Sequence, residues 1–402
     1  MKCKLEEICS FRRGKTDVAN LTTETYISTE NMLPNKSGIV NATSLPIVDL
    51  TQAYENGDVL VSNIRPYFKK IWKAKINGGC SNDVLVFTAK ENTDSDFLYY
   101  VLADDAFFAY AMATSKGTKM PRGDRKSIMQ YEVPCYDIET QQKIASILKS
   151  IDEKIELNNA INNNLEQQAV LLFKKCFIDL DSTSNNMVDT QFGLIPDTFR
   201  LLKNGELPLV VTDYVANGSF ASLKANVTLY QEPNYAYFIR NTDLKSGTFE
   251  VFVDKHSYDF LSKSTLHGGE IIISNVGDVG SVFLCPKLDK PMTLGNNIIM
   301  LRPEQDNMRY YLYIWFKWLY GQSLIQGITG GSAQPKFNKT DFKNLQIFLP
   351  PDDLLEQFHQ IVKPMFELID ENNVESQTLT ITRDTLLPRL MSGELDVSDI
   401  DI

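Results

Sequence analysis

The chain repeats itself, and this limits what it can fold into more tightly than any other feature. Gly57-Asp58-Val59-Leu60-Val61-Ser62-Asn63-Ile64 recurs as Gly269-Glu270-Ile271-Ile272-Ile273-Ser274-Asn275-Val276, an offset of 212. Downstream the offset settles at 214 and holds without a gap. Asn82 matches Asn296, Leu98-Tyr99 matches Leu312-Tyr313, and Gly117 and Pro121 match Gly331 and Pro335. Asn158-Asn159 then matches Asn372-Asn373, Leu165 matches Leu379, and Leu172 matches Leu386. Chance yields one such pair, but not a constant spacing from 82 to 172. A chain of 402 residues exceeds one ordinary core, so the repeat reads as a duplicated domain.

Each half carries the same order of elements. Apolar runs such as Asp58 to Ile64 and Asp83 to Phe87, bounded by Gly and Asn, predict strands. An aromatic helix follows, capped by Ser95 or Asp96 and running through Phe97-Leu98-Tyr99-Tyr100. A glycine-bearing loop comes next, Lys116 to Gly123 in the first half and Gly327 to Lys336 in the second, and then a strand leads into a long helix. Tyr310 to Tyr320 predicts a buried helix. The polar run Asp181 to Asn186 reads as the linker between halves. The expected class is α+β: two similar domains, 1–137 and 201–350, with helical regions at 138–180 and 351–402. A linker and domain opening fall at 181–200.

The two long helices share a seam. Ile144, Leu148, Ile151, Ile155, Asn158, Asn162, Leu165, Ala169, Leu172 and Cys176 are spaced alternately four and three, the heptad pattern. Adding 214 gives Phe358, Val362, Met365, Ile369, Asn372, Ser376, Leu379, Arg383, Leu386 and Leu390. If the helices pair antiparallel about a pseudo-two-fold axis, Asn158 and Asn162 meet Asn372 and Ser376. That polar layer penalises slipped registers, in which Asn would face Leu or Ile. Pro364 implies a slight kink and Arg383 a poorer layer. From 144 to 176 such a helix extends about 50 Å at 1.5 Å per residue, or roughly 14–15 base pairs at about 3.4 Å each.

Net charge is −11, yet residues 351–402 hold 12 acids against 3 bases, so both globular blocks stay near neutral and can carry basic faces. Arg65, Lys69, Lys70, Lys73 and Lys75 have no acid among them and are interleaved with Tyr67, Phe68 and Trp72. Lys116, Lys119, Arg122, Arg125 and Lys126 form a second cluster, with Asp124 among them. Such cations neutralise phosphates, while Arg, Asn and Gln pair with base edges. The candidate DNA contacts in the first half are Arg65, Tyr67, Lys69, Lys70, Lys73, Lys116, Thr118, Lys119 and Arg122. In the second half they are Asn275, Asp278, Ser332, Gln334 and Lys336. Scaffold residues repeat and loop residues do not: Arg65-Pro66-Tyr67-Phe68 stands against Gly277-Asp278-Val279-Gly280. Like frames with unlike side chains imply two different half-sites.

Several chemistries find no support. Six scattered cysteines form no Cys-x-x-Cys pair, the three histidines complete no zinc pattern, and no metal site is expected. Reduced cysteines used as small core residues fit a cytoplasmic location. Gly14-Lys15-Thr16 lacks the first glycine of a phosphate loop, where Cys9 stands. Leu-Pro-Pro-Asp at 349–352 lacks the amide and aromatic of an amino-methyltransferase motif, and Asp152-Glu153-Lys154 reads as a solvated helix face. No catalytic residue, signal peptide or membrane span is expected.

Arg383-Asp384-Thr385-Leu386-Leu387-Pro388-Arg389-Leu390-Met391-Ser392-Gly393-Glu394-Leu395 resembles the C-terminal repeat ending of type I restriction–modification specificity subunits. Phe192-Gly193-Leu194-Ile195-Pro196 is similar to that family's domain opening, with Phe199 where Trp is common, and Lys143 to Leu148 resembles the start of its central helical region. The first domain lacks that opening and begins almost at Leu5. The resemblance implies two target-recognition domains on an antiparallel coiled coil, bound to double-stranded DNA and to two modification subunits. Those subunits would bind S-adenosylmethionine and methylate adenine N6 on a flipped base. Restriction subunits using ATP and Mg would translocate and cleave, and no cofactor would belong to this chain. Two alternatives remain open: the recognition chain of a fused restriction and methylation system, and a coiled-coil structural adaptor. If the helices set the spacing, adding whole heptads to both should widen the gap in the methylated motif of a host carrying the complex. An unchanged gap would show that they do not.

Overall fold

The structure, a computed structural model, describes residues 2–179, 186–331, 333–398 and 400. They form two compact units, Met1–Asn158 with Val374–Ile402, and Asn159–Asn373. The long helices Ile138–Phe177 and Asp352–Ser392 each contribute one stretch to each unit. Asp181 to Asn185 of the expected linker lie outside the described residues.

In the first unit an antiparallel sheet runs in the order Cys9–Phe11, Val84–Ala89, Val59–Ser62, Ile71–Lys73. Val59, Leu60 and Val61 are all buried because the sheet is covered on both faces. Val59 and Val61 join Leu85 and Phe87 in the core under the aromatic helix. Leu60 joins Val84 and Val86 in a second core with Ile27, Tyr54 and Cys80. That second core belongs to a sheet in the order Lys15–Asp17, Leu50–Tyr54, Gly78–Cys80, Tyr26–Ile27. The expected strand Asp58 to Ile64 is thus shorter at both ends, with Asp58 a buried anchor and Asn63-Ile64 turning into a loop. The strand expected at Asp83 to Phe87 runs instead over Val84–Ala89.

The second unit repeats this order with Leu209–Asp213, Ile298–Pro303, Ile271–Ser274 and Val282–Leu284. The registers repeat as well: Val59 faces Phe87 as Ile271 faces Leu301, and Ala53 faces Gly79 as Thr265 faces Thr293. The strand Lys2–Lys4 pairs with Glu132–Pro134 as Arg200–Lys203 pairs with Gln346–Leu349. In the second unit the opening Phe192 packs on Trp315, Tyr320 and Phe348.

The aromatic helix is Ser95–Ala103, and its cap is Asp94, whose carboxylate accepts from the backbone N–H groups of Asp96 and Phe97. Its counterpart Met308–Lys317 ends at Trp318, where a second helix, Leu319–Gly327, begins. The second loop therefore starts after Gly327. Cys9, Cys80 and Cys285 are buried, whereas Cys135 is exposed and Cys3 and Cys176 are half-buried.

Ile138–Phe177 contains no Gly or Pro, begins where the Asp137 carboxylate accepts from Thr140 N–H at 2.8 Å, and ends with Lys174 and Lys175 at its carbonyl terminus. Asp352–Ser392 starts with two acids and stops at Gly393, whose φ of 75° no L side chain adopts readily. It continues through Pro364 and Pro388, both exposed, where water can meet the carbonyls that the missing N–H groups leave free.

Within each unit the two helical stretches pair antiparallel. In the first, Asp152 meets Arg383 at 2.8 Å, Lys154 meets Glu375 at 3.1 Å, and the Asn158 amide donates to Ser376 Oγ at 3.2 Å. In the second, Asn372 Nδ2 donates to Asn162 Oδ1 at 2.8 Å, and Phe173 packs on Phe358 with ring centroids 6.2 Å apart. No seam residue is exposed; Ile144, Leu148, Asn158, Ala169, Phe358, Val362, Asn372 and Leu390 are buried. Phe173 and Phe177, outside the seam, are buried against Tyr311, so this stretch of the helix also packs on the globular part of the second unit.

Arg383 is no blemish. Its guanidinium spans Asp152 and Asp384, and Asp152 also accepts from the Tyr100 hydroxyl at 2.8 Å. Asp152 is therefore a half-buried hub, where a solvated face was expected. Burial and the adjacent Asp152 charge push the Tyr100 hydroxyl far above its ordinary pKa. At the matching place in the second unit the layer is apolar, with Phe366 lying flat on Tyr310 at 4.5 Å.

Arg383→Ala should cost about 3 kcal/mol, because it leaves a half-buried carboxylate unpaired. Asp152→Phe combined with Arg383→Ala, which copies the apolar layer, should cost less than the two single changes summed. Denaturant unfolding read as a double-mutant cycle checks this, and additive costs would contradict it.

Candidate nucleic-acid interface

Both units build the same backbone junction at the end of the central strand. In the first, Lys116 and Arg122 exchange two main-chain hydrogen bonds of 2.9 Å, Arg65 N–H donates to Pro121 C=O at 2.8 Å, and Gly123 N–H donates to Asn63 C=O at 3.1 Å. In the second, Gly330 and Lys336 exchange bonds of 2.9 and 2.8 Å, Gly277 N–H donates to Pro335 C=O at 2.8 Å, and Phe337 N–H donates to Asn275 C=O at 3.1 Å. Gly117 and Gly331 make the turn possible, with φ of 93° and 94°. A Cβ at Gly331 would stand 2.7 Å from the Gln334 carbonyl oxygen. These closing bonds are main-chain, so the side chains at 116–120 and 333–336 point out, all of them exposed. Ser332 lies outside the described residues.

Within the first loop Thr118 and Lys119 are exposed, and Lys119 has no ion-pair partner among the described residues. Lys116 pairs with Asp124, and Arg122 with Asp83 at 3.2 Å; the two cations are 81% and 54% exposed. The Lys116 ammonium and the Ser127 N–H hold the Asp124 carboxyl well below the usual range. Such exposed pairs are weak, so a phosphate can replace the acid. Beside the loop, the turn Pro66–Phe68 lifts Tyr67 and Phe68 into solvent. Lys69 shares Asp105 with Lys36, at 2.8 and 2.9 Å, and Lys70 donates to the Thr29 carbonyl at 2.6 Å.

Lys73 stands elsewhere. It pairs across the sheet with Val59, at the strand end away from the loop. Its ammonium holds Asp96 at the start of the aromatic helix, which Lys149 also meets at 3.1 Å. Lys73 is thus a strut, and Trp72 packs edge-on against Tyr54 in the second core.

In the second unit the Gln334 amide reaches over Gly277, 4.0 Å from where a Cβ would stand, and Lys336 is exposed without an ion-pair partner among the described residues. Asn275 turns inward, its amide donating to the Phe337 carbonyl at 3.3 Å. Asp278 is held by Lys245 at 2.6 Å and accepts from Asn241 at 3.3 Å, and the Lys245 ammonium above all lowers its pKa.

Sequence reading missed the anchors at the other end of the strands that lead to these junctions. Asp58 is 2% exposed and accepts from Arg12, from Thr88 Oγ1 at 2.8 Å and from Glu55 N–H at 2.8 Å. Glu270, 3% exposed, accepts from Arg302 at 2.9 Å and from the His267 and Gly268 N–H groups. An acid opening the same apolar strand in both halves was the available signal. Among the described residues no cluster of three or more His, Cys, Asp or Glu could hold a metal, and no helix is long and apolar enough to cross a membrane.

Two like frames displaying unlike loops define a duplicated recognition module. The family profile for the type I restriction modification DNA specificity domain matches residues 1–167 and 214–382, and the chain belongs to that family. It is a specificity subunit, a non-catalytic component of type I restriction–modification systems. The chain is 27% identical over 323 residues to the type I restriction enzyme MjaIX specificity subunit of Methanocaldococcus jannaschii, covering 77% of this chain and 71% of that one. It is 26% identical to the HindI specificity subunit of Haemophilus influenzae, covering 92% and 94%. The crystal structure of a type I S subunit from M. genitalium shares the fold at a TM-score of 0.56 and 17% identity, covering 97% and 96%.

Proposed function

We propose that this chain reads an asymmetric, bipartite DNA target, one half-site per domain, and docks two modification subunits. The domains are taken as 1–137 and 201–350, with helical regions at 138–180 and 351–402. The observation that supports this is the shared backbone junction carrying Thr118-Lys119-Met120 in one unit and Gln334 with an inward Asn275 in the other. Identical frames with identical loops would suit a palindrome, and these loops differ.

In the first half Lys119, Lys116 and Arg122 approach phosphates or guanine edges; in the second, Gln334 has the donor–acceptor pair that matches adenine. The modification subunits bring S-adenosylmethionine and methylate adenine N6. Restriction subunits bring ATP and Mg for translocation and cleavage, in the cytoplasm. The acidic segment 351–402 contributes to docking the modification subunits.

Selection from a randomised duplex pool by the assembled complex tests the reading. Lys119→Ala should relax or weaken one half-site and Gln334→Ala the other, each loss of a base contact costing about 1–3 kcal/mol. Lys73→Met should leave both unchanged. Loss at both half-sites from a single loop change, or selection of no motif, would refute it.

A further inference from the structure

We propose that Tyr67 and Phe68 form a preorganised aromatic wedge that enters a base step of the first half-site only. The inference rests on the DNA-reading function above and adds a mode of contact to it.

Two rings stand out in solvent, 50% and 38% exposed, with centroids 4.6 Å apart. They occupy a short turn flanked by Arg65 and Lys69, both with φ of 51°. The segment packed against it contains Asn35 and Lys36, with φ of 55° and 61°. Four of the five non-glycine residues of positive φ among the described residues therefore meet at this one place. Such strain persists only where the surroundings over-determine it, and it gathers at functional sites.

The bracing is visible. Asn35 N–H donates to Phe68 C=O at 2.8 Å, and Lys36 N–H to Lys69 C=O at 2.9 Å. Asp105 accepts from both lysines, and the Lys70 ammonium sits 5.9 Å from the Phe68 ring centre. Arg65 N–H ties the turn to Pro121 of the reading loop, two residues along the chain from Lys119. A braced apolar pair on the same junction as the exposed cations Lys116 and Lys119 suits a duplex, whose phosphates take the cations while an unstacked step takes the rings.

The second unit cannot do this. Its hairpin is one residue shorter, since Val61 pairs with Ile71 but Ile273 with Val282. Opposite Arg65-Pro66-Tyr67-Phe68 it has Gly277-Asp278-Val279-Gly280, so an anionic Asp278 enters the turn and the ring positions hold a half-buried valine and a buried glycine. A carboxylate has no stacking face and repels phosphate.

The test uses the chain assembled with its modification subunits on its own selected duplex, with 2-aminopurine placed at successive positions of both half-sites. The wild type should raise fluorescence at a step of the first half-site other than the methylated adenine. Tyr67→Ala/Phe68→Ala should abolish that rise and weaken binding about ten- to hundredfold, while melting temperature and second-half contacts stay unchanged. Phe68→Trp should keep the rise. A wild type that selects its target without any such rise, or a rise that survives the double alanine change, would overturn the wedge and leave bipartite reading intact. Failure to select any target would overturn both.

Discussion

The main-chain closure of each loop onto the end of its central strand is the constraint on which the rest depends. Arg65 to Pro121 and Gly277 to Pro335 are bonds from an N–H that every residue except proline supplies to a C=O that every residue supplies. Since these closing bonds need no side chain, the loop residues other than the turn glycines Gly117 and Gly331 can change without loss of the closure. The carboxylates Asp58 and Glu270 fix the other end of the strand from inside the protein. One end of the strand is therefore anchored by buried charge, and the other presents variable chemistry.

The two units use this frame differently. The first concentrates backbone strain, exposed rings and cations around residues 65–69 and 116–122. The second is cooler: an Asp pinned by Lys245, a glycine under Gln334, and a shorter hairpin. The helical layers diverge in the same way, with an Asp152–Arg383–Tyr100 network in one unit and Phe366 on Tyr310 in the other. Duplication kept the backbone register, and divergence acted on whatever the register left free.

The repeat and the heptad seam were legible in the sequence because both are written in core residues at regular spacing. The second sheet was not, because strands such as Tyr26–Ile27 and Gly78–Cys80 are too short to show a period. Charge partners were equally hidden. Lys73 looked like part of a basic run, but its acid lies on the aromatic helix, and the Asp152 that meets Arg383 lies 231 residues away. Basic runs in a sequence report cations and not their neighbours. The cap at Asp94 was missed because three consecutive residues could each have served.

Transplanting Thr118-Lys119-Met120 to positions 332–334, in a host that also carries the partner subunits, tests the separation of frame from reading most directly. Sequencing of methylated adenines should show a new second half-site, an unchanged first half-site and an unchanged melting temperature of the chain. A motif altered in both halves or in neither, or a chain that no longer folds, would contradict the account.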